Sequence, residues 1–130
     1  MANLIAKIFP LEALTVLKQI AKADKTIEEK IIEMVSRPGV DHWFTEREGR
    51  TIYNERNLFC GDGKVLRPDR VIVEGERVTV VDFKFGELEN NYYDEQVRNY
   101  MHYLRKAGYN RVEGYVWYVM LGKIIQIENI

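Results

Sequence analysis

The chain has 130 residues, of which 46% are hydrophobic and 30% are charged, so it has the length and composition of one folded domain. Its 19 basic and 20 acidic residues give a formal net charge of −1, which excludes a strongly basic nucleic-acid coat and a disordered acidic tail. Cys60 is the single cysteine, which favours a reducing, cytoplasmic setting. No apolar run approaches the roughly 18 residues that span a bilayer, and Lys7 and Pro10 interrupt the first one, so we expect neither a membrane partner nor a signal peptide.

The first part of the chain, residues 1–40, has the residue spacing of helices. Apolar residues recur at intervals of three and four over residues 11–21. Thr26 is a candidate N-cap for a second helix, with Glu29 as its capping-box partner, and Arg37-Pro38-Gly39 ends that helix. We interpret both helices as scaffold.

Short β-branched and aromatic runs predict strands from Trp43 onwards. The first strand is expected over residues 51–59, and a polar turn follows at residues 60–64. Two valine-rich runs flank Gly75-Glu76 and predict a hairpin there. Glycine in the first central position suits a two-residue type II′ turn.

A third helix is expected over residues 90–107, with Gly108 as its stop signal. Its apolar face is predicted to consist of Tyr93, Val97, Tyr100, Met101 and Leu104. Two strands follow over residues 112–120 and 124–127. The predicted order is helix, helix, three strands, helix, two strands. This order favours an α/β (α+β) fold with a mixed central sheet. Without a repeat or linker in the sequence, we predict a single domain whose core spans residues 43–130.

The hairpin register brings two acidic residues together. Counting outward from Glu74, which faces Arg77 as a charge pair, Asp69 comes to lie opposite Asp82. Directly opposed residues share one face of a sheet, with Cβ atoms roughly 4.5–5.5 Å apart. Lys84 is two residues beyond Asp82 and therefore projects from the same face.

Two opposed carboxylates repel each other, and a divalent cation is their natural counter-charge, because hard oxygen ligands suit magnesium or manganese. The alternative interpretation is that Asp69 and Asp82 are solvated strand-end acids and that Lys84 forms a surface salt bridge. A slip of one residue in the register would put the two acids on opposite faces and remove the argument for a metal.

The order Arg67-Pro68-Asp69, hairpin, Asp82-Phe83-Lys84 resembles the signature of the PD-(D/E)XK nuclease superfamily. More narrowly, residues 43–130 resemble the RecB-like nuclease domain at the C-terminus of UvrD-type helicases and AddA-type helicase–nucleases. In those domains an acidic residue, a hairpin and an Asp-Tyr/Phe-Lys strand precede a helix that carries Tyr, Gln and Tyr. The resemblance implies a restriction-endonuclease-like core, in which helices flank a mixed central sheet.

The resemblance also implies roles for particular residues. Asp69 and Asp82 would bind Mg²⁺ (or Mn²⁺), and Glu55 in the preceding strand matches the extra acid that often completes such a site. Lys84 would position or activate the attacking water and stabilise the developing phosphate charge. The alternative interpretation of Glu55, which does not depend on the resemblance, is an ordinary solvent-facing strand residue.

The helix that follows carries Tyr93, Gln96 and Tyr100 in the order of the family. Gln96 and Tyr100 are one helical turn apart on the side that faces the site, and the resemblance implies contacts with the metal shell or the DNA backbone. The alternative interpretation is that Gln96 is a polar residue on the flank of the helix and that Tyr100 lies at the edge of the core.

Departures from the family pattern concern histidine and the helicase motor. Many RecB-like domains carry a metal-binding histidine on the N-terminal helix, and here Ala6 occupies that place. His42 is the nearest substitute, although we expect it to be structural, and we expect His102 to be exposed. No Gly-x-x-x-x-Gly-Lys-Ser/Thr loop is present, so the chain is either a free-standing nuclease or the terminal part of a larger machine.

Three hypotheses of function remain. The first is a metal-dependent DNA nuclease, the exonuclease domain of a helicase–nuclease in DNA repair or recombination. The second is a catalytically degenerate nuclease-fold module that binds DNA ends or a helicase partner, with Tyr92-Tyr93 stacking on bases. The third is a protein-interaction domain whose acidic residues are merely solvated.

Overall fold

A computed structural model describes residue 9 and residues 11–45, 47–86 and 89–128. The chain divides into two compact units, residues 1–46 and residues 47–130. The segment around Ala6 lies outside the described residues, as does most of the helical stretch predicted before residue 11. Within the described ranges, no helix is long and apolar enough to cross a membrane.

The first unit contains two helices, α1 (Leu11–Ala23) and α2 (Ile27–Val35), and a 3₁₀ turn at Asp41–Trp43. Thr26 occupies the N-cap position of α2, but its side chain makes no capping hydrogen bond, so the predicted capping box is wrong. The reason is Asp24, whose carboxylate accepts hydrogen bonds from both the hydroxyl and the backbone N–H of Thr26. The threonine hydroxyl therefore acts as a donor to the preceding turn.

The elements of the second unit are β1 (Arg50–Asn54), β2 (Leu58–Phe59), β3 (Val65–Leu66), β4 (Arg70–Glu74), β5 (Arg77–Lys84), α3 (Asn91–Lys106), β6 (Arg111–Tyr118) and β7 (Lys123–Ile127). The unit is built on a five-stranded sheet in the order β1-β4-β5-β6-β7. Neighbouring strands are antiparallel except β5 and β6, which are parallel and are joined by helix α3. A separate antiparallel pair is formed by β2 and β3. The predicted α+β class with a mixed sheet is thus confirmed.

The single strand predicted over residues 51–59 is wrong, because the chain forms two strands there. Strand β1 ends at Asn54, and Glu55 follows with a φ of 48°, a left-handed conformation that interrupts a strand. The Glu55 N–H donates to the Asp69 carbonyl (3.0 Å), which fixes the end of β1 beside the start of β4. The predicted polar turn at residues 60–64 is confirmed as the link between β2 and β3.

Helix α3 packs one face against the sheet and forms the main core of this unit. The apolar face of α3 is predicted correctly, and its N-cap is Asn90, whose side chain accepts a hydrogen bond from the Tyr92 N–H (2.9 Å). The contact is tight at Gly114 on β6. A Cβ at this position would be 2.5 Å from Met101 Sδ and 2.7 Å from Val97 Cγ1. The buried residues of this core are Val78, Val80, Val97, Tyr100, Met101, Leu104, Val112, Val116, Tyr118 and Ile127.

We expect Gly114→Ala to destabilise the protein by about 1–3 kcal/mol, because the added methyl group overpacks the contact between α3 and β6. Urea unfolding followed by circular dichroism measures this change. The matched control is Gly61→Ala, since a Cβ there meets nothing within 4 Å. Equal stability of the two variants would show that the helix contact is looser than the structure indicates.

Candidate active site

The hairpin formed by β4 and β5 has the predicted register. Its backbone pairs run from Glu74 and Arg77 at the turn to Arg70 and Val81 at the open end. Gly75 has a φ of 58°, as the first central residue of a type II′ turn requires. The register therefore leads directly to the two acidic residues beyond the last pair.

Asp69 lies one residue before β4, and its side chain contacts the neighbouring strand β5 beyond the last backbone pair of the hairpin. Its Oδ2 accepts a hydrogen bond from the Phe83 backbone N–H (2.8 Å). Asp82 lies within β5 and is 2% exposed. The two carboxyl groups are close enough to share a hydrogen bond. They therefore converge on one side of the sheet, as the sequence predicts.

The environment of Asp69 favours its protonated form. Burial is the main cause that raises its pKa to about 8, and the charge of Asp82 and the hydrogen bond between the two carboxyl groups add to the effect. The Phe83 N–H and the Lys84 ammonium act in the opposite direction but do not cancel it. Near neutral pH, the two acids thus hold a proton between them.

Lys84 is held against this pair by three neighbours. Its Nζ lies 2.8 Å from Asp82 Oδ2, 3.1 Å from Gln96 Oε1 and 4.5 Å from the centroid of the Tyr93 ring. The Lys84 side chain is only 20% exposed, so water screens the charge of its ammonium group poorly. Sequence-predicted residues on β5 and α3 are therefore brought into direct contact.

Tyr100 lies deeper on the same helix and is 5% exposed. Burial raises the pKa of its hydroxyl, and the charges of Asp82 and Asp69 raise it further, whereas a hydrogen bond with Gln96 lowers it. The hydroxyl is thus near both carboxylates and remains protonated at neutral pH. As a protonated group it is a hydrogen-bond donor at the edge of the site.

Glu55 is placed differently from the other predicted residues. Its backbone is bonded to Asp69, but its carboxylate faces Arg67, with 3.9 Å between Glu55 Oε2 and Arg67 Nη2. Arg67 Nε also donates to the Glu55 carbonyl (2.9 Å). In the parts of the chain that the structure describes, no group of three or more His, Cys, Asp or Glu residues is arranged to hold a metal ion. The acidic centre therefore consists of Asp69 and Asp82.

Two contributors to the site are missed by the sequence reasoning. The Phe83 N–H is a backbone group, and no side-chain pattern reports it. The contact of Arg67 with Glu55 depends on the bend at residue 55, although the position of Arg67 two residues before Asp69 is a signal that was available. Of the histidines, His42 lies in the 3₁₀ turn of the first unit beside Trp43, and His102 on α3 is exposed as predicted.

The donor set of the centre suits a hard cation. Asp82 Oδ2 is buried, and apart from the proton that Asp69 can share it receives no hydrogen bond from the described residues. Lys84 approaches this atom as an ion pair without the angles of a hydrogen bond. Two adjacent carboxylates with an unsatisfied buried oxygen are oxygen ligands of the kind that Mg²⁺ and Mn²⁺ take. By this chemistry the residues present fit a divalent ion, to which Asp69 and Asp82 would supply the protein oxygen ligands.

Comparison of the sequence with models of protein families gives no match, and comparison with curated protein sequences gives no significant match.

In the absence of metal, we expect the free energy of unfolding to fall as the pH rises from about 4 to about 8. The unfolded chain loses the Asp69 proton near pH 4, whereas the folded protein keeps it until its raised pKa of about 8. Between these values the unfolded state binds fewer protons than the folded state, so rising pH favours unfolding. Denaturant titrations in EDTA at several pH values measure the slope.

Asp69→Asn removes this ionisation and keeps an oxygen acceptor for the Phe83 N–H. The variant should be more stable than the wild type at pH 7 by about 2 kcal/mol, with a flatter pH dependence. Asp62→Asn is the control, because the Tyr103 hydroxyl lowers the pKa of the exposed Asp62 and its neutralisation removes a favourable charge. A loss of stability in Asp69→Asn would mean that the two carboxyl groups do not repel each other.

Proposed function

We propose that the protein is a metal-dependent DNA nuclease of the PD-(D/E)XK type, with a RecB-like domain. The observation that carries the proposal is the convergence of Asp69, Asp82 and Lys84 at one end of the β4–β5 hairpin. The order of the sheet supports it, since an antiparallel β1-β4-β5 meander followed by a helical crossover to parallel β6 suits a restriction-endonuclease-like core.

In this proposal Asp69 and Asp82 hold Mg²⁺ or Mn²⁺. When bound, the ion supplies charge stabilisation at the scissile phosphate and lowers the pKa of a bound water. Lys84 contributes an ammonium donor beside the carboxylates, where it orients a water or a phosphate oxygen. Its contacts with Gln96 and Tyr93 hold that ammonium in place.

Gln96 and Tyr100 complete the proposed site from α3. The Gln96 amide oxygen accepts a hydrogen bond from the Lys84 ammonium, so a substrate phosphate that replaces this contact meets a donor that is already oriented. Glu55 has the role of an outer acid in the proposal, because its carboxylate is engaged by Arg67. DNA is the proposed partner, together with a helicase motor on another segment or subunit, in the cytoplasm.

The test is degradation of linear single-stranded and double-stranded DNA with Mg²⁺ or Mn²⁺. We expect Asp82→Ala and Lys84→Ala each to lower the cleavage rate by about 100-fold or more, because each removes a charge from the reacting centre. The matched control is Glu76→Gln, which changes an exposed acid in the turn at the other end of the same hairpin. Equal degradation by all four proteins would show that cleavage does not depend on this centre.

A second candidate function is a degenerate nuclease-fold module that binds DNA ends or a helicase partner without cutting. Two observations favour it. Among the described residues the acidic centre has two carboxylates and no third acidic, histidine or cysteine ligand. The Lys84 ammonium also lies against Asp82, where a metal cation would compete with it. Calorimetry with Mn²⁺ separates the two candidates. Binding of Mn²⁺ that is lost in Asp82→Ala supports the nuclease, whereas retained DNA affinity without Mn²⁺ binding supports the module.

A further inference from the structure

A polar cavity of about 380 Å³ lies at the opposite end of the sheet from the carboxylates. It is formed where β5 and β6 begin and where α3 ends. Lys84 is seven positions after Arg77 along β5, which corresponds to about 23 Å at the usual rise of a strand. The cavity is therefore separate from the proposed nuclease site. Its lining residues are Arg77, Arg105, Asn110, Arg111, Val112 and Glu113.

Two of the arginines are direct neighbours in the sheet. Arg77 and Arg111 are paired across the parallel strands β5 and β6, and like charges in that arrangement repel each other. Glu113 supplies the negative charge within the cavity, and its two oxygens lie 3.1 and 3.2 Å from Arg77 Nη2. The Tyr115 hydroxyl also donates to Glu113 (3.1 Å). The carboxylate is thus engaged by Arg77 and leaves the remaining guanidinium groups without compensation.

Arg105 and Arg111 have no side-chain hydrogen bond or ion pair with any residue that the structure describes. In Arg105 the Nη2 atom is also buried from solvent. A buried donor without an acceptor costs free energy, and more so when it belongs to a charged group. The cavity therefore combines an excess of positive charge with an unsatisfied buried N–H group.

We propose that this cavity binds a phosphate group. A guanidinium presents a planar fork of donors that matches phosphate oxygens, and two uncompensated forks in one cavity balance the charge of a phosphate dianion. A phosphate with three free oxygens enters a cavity between two guanidinium groups more readily than a phosphodiester, which carries a sugar on each side. Inorganic phosphate and the terminal phosphate of a nucleotide or oligonucleotide share this chemistry.

The test uses the full chain in EDTA, so that its result is independent of nuclease activity. Calorimetric titration with inorganic phosphate, against chloride at matched ionic strength, should show saturable binding. Arg105→Met and Arg111→Gln should each weaken this binding by about tenfold or more, because each removes donors to the anion. The control is Lys106→Gln, which removes an adjacent exposed positive charge outside the cavity lining and should bind phosphate as the wild type does.

Thermal unfolding without phosphate separates a binding role from a structural one. Arg105→Met should leave the unfolding temperature unchanged or raise it, since the substitution removes a buried donor that has no acceptor. A lowered unfolding temperature together with unchanged phosphate affinity would make Arg105 a structural residue and overturn the proposal.

The same titration with three further ligands identifies the source of the phosphate. They are a nucleoside 5′-monophosphate, a 5′-phosphorylated oligonucleotide and the same oligonucleotide with a 5′-hydroxyl. Binding that requires the terminal phosphate and Arg105 supports the proposal, and the tightest phosphorylated ligand indicates the natural source. Equal binding of both oligonucleotides, or no saturable binding of inorganic phosphate by the wild type, would overturn it.

Discussion

The hydrogen bond from the Phe83 N–H to the Asp69 carboxylate is the interaction on which the candidate site depends. Asp69 lies beyond the last backbone pair of the β4–β5 hairpin, so strand pairing alone does not position its side chain. The amide of Phe83 does so, and it brings the Asp69 carboxyl group against Asp82. The repulsion between the two acids and the affinity proposed for a divalent ion follow from this position of the carboxyl group. The raised pKa of Asp69 has burial as its main cause, and the Phe83 N–H acts against it.

The tight packing of α3 on β6 has a comparable importance for the groups on the helix. Gly114 leaves room for the Met101 and Val97 side chains of the helix, and the same helix carries Gln96 and Tyr100 towards the carboxylates. Lys84 connects the two parts, because its ammonium contacts Asp82 on the strand and Gln96 on the helix. The charges of the centre are thus set by strand register and their surroundings by helix packing.

The sequence predicts those features that depend on local periodicity. The turn at Gly75, the hairpin register and the apolar face of α3 follow from two-residue and three-to-four-residue spacings, and the structure has all three. Features set by a third element are not predictable in this way. The pairing of Glu74 with Arg77 is correct for the backbone, yet the Glu74 carboxylate lies 2.6 Å from Arg50 on β1.

Contacts with residues distant in sequence also explain why the strand predicted over residues 51–59 is wrong near residue 55. The left-handed conformation of Glu55 is stabilised by hydrogen bonds to Asp69 and Arg67, which are distant in sequence, and no propensity of residues 51–59 reports them. The position of the Glu55 carboxylate follows from that bend. The sequence alone therefore identifies the acids of the centre but not the groups that hold them.

The backbone and the side chain of Asp69 are restrained independently. Its carbonyl accepts a hydrogen bond from the Glu55 N–H, and its carboxylate accepts one from the Phe83 N–H. Rotation about the side-chain bonds of Asp69 would redirect its carboxylate oxygens without breaking the backbone hydrogen bonds of the hairpin. The Phe83 N–H would then lose its hydrogen-bond acceptor. In the proposed metal site, such a pivot would adjust the ligand oxygens to ions of unequal radius while the backbone stays fixed.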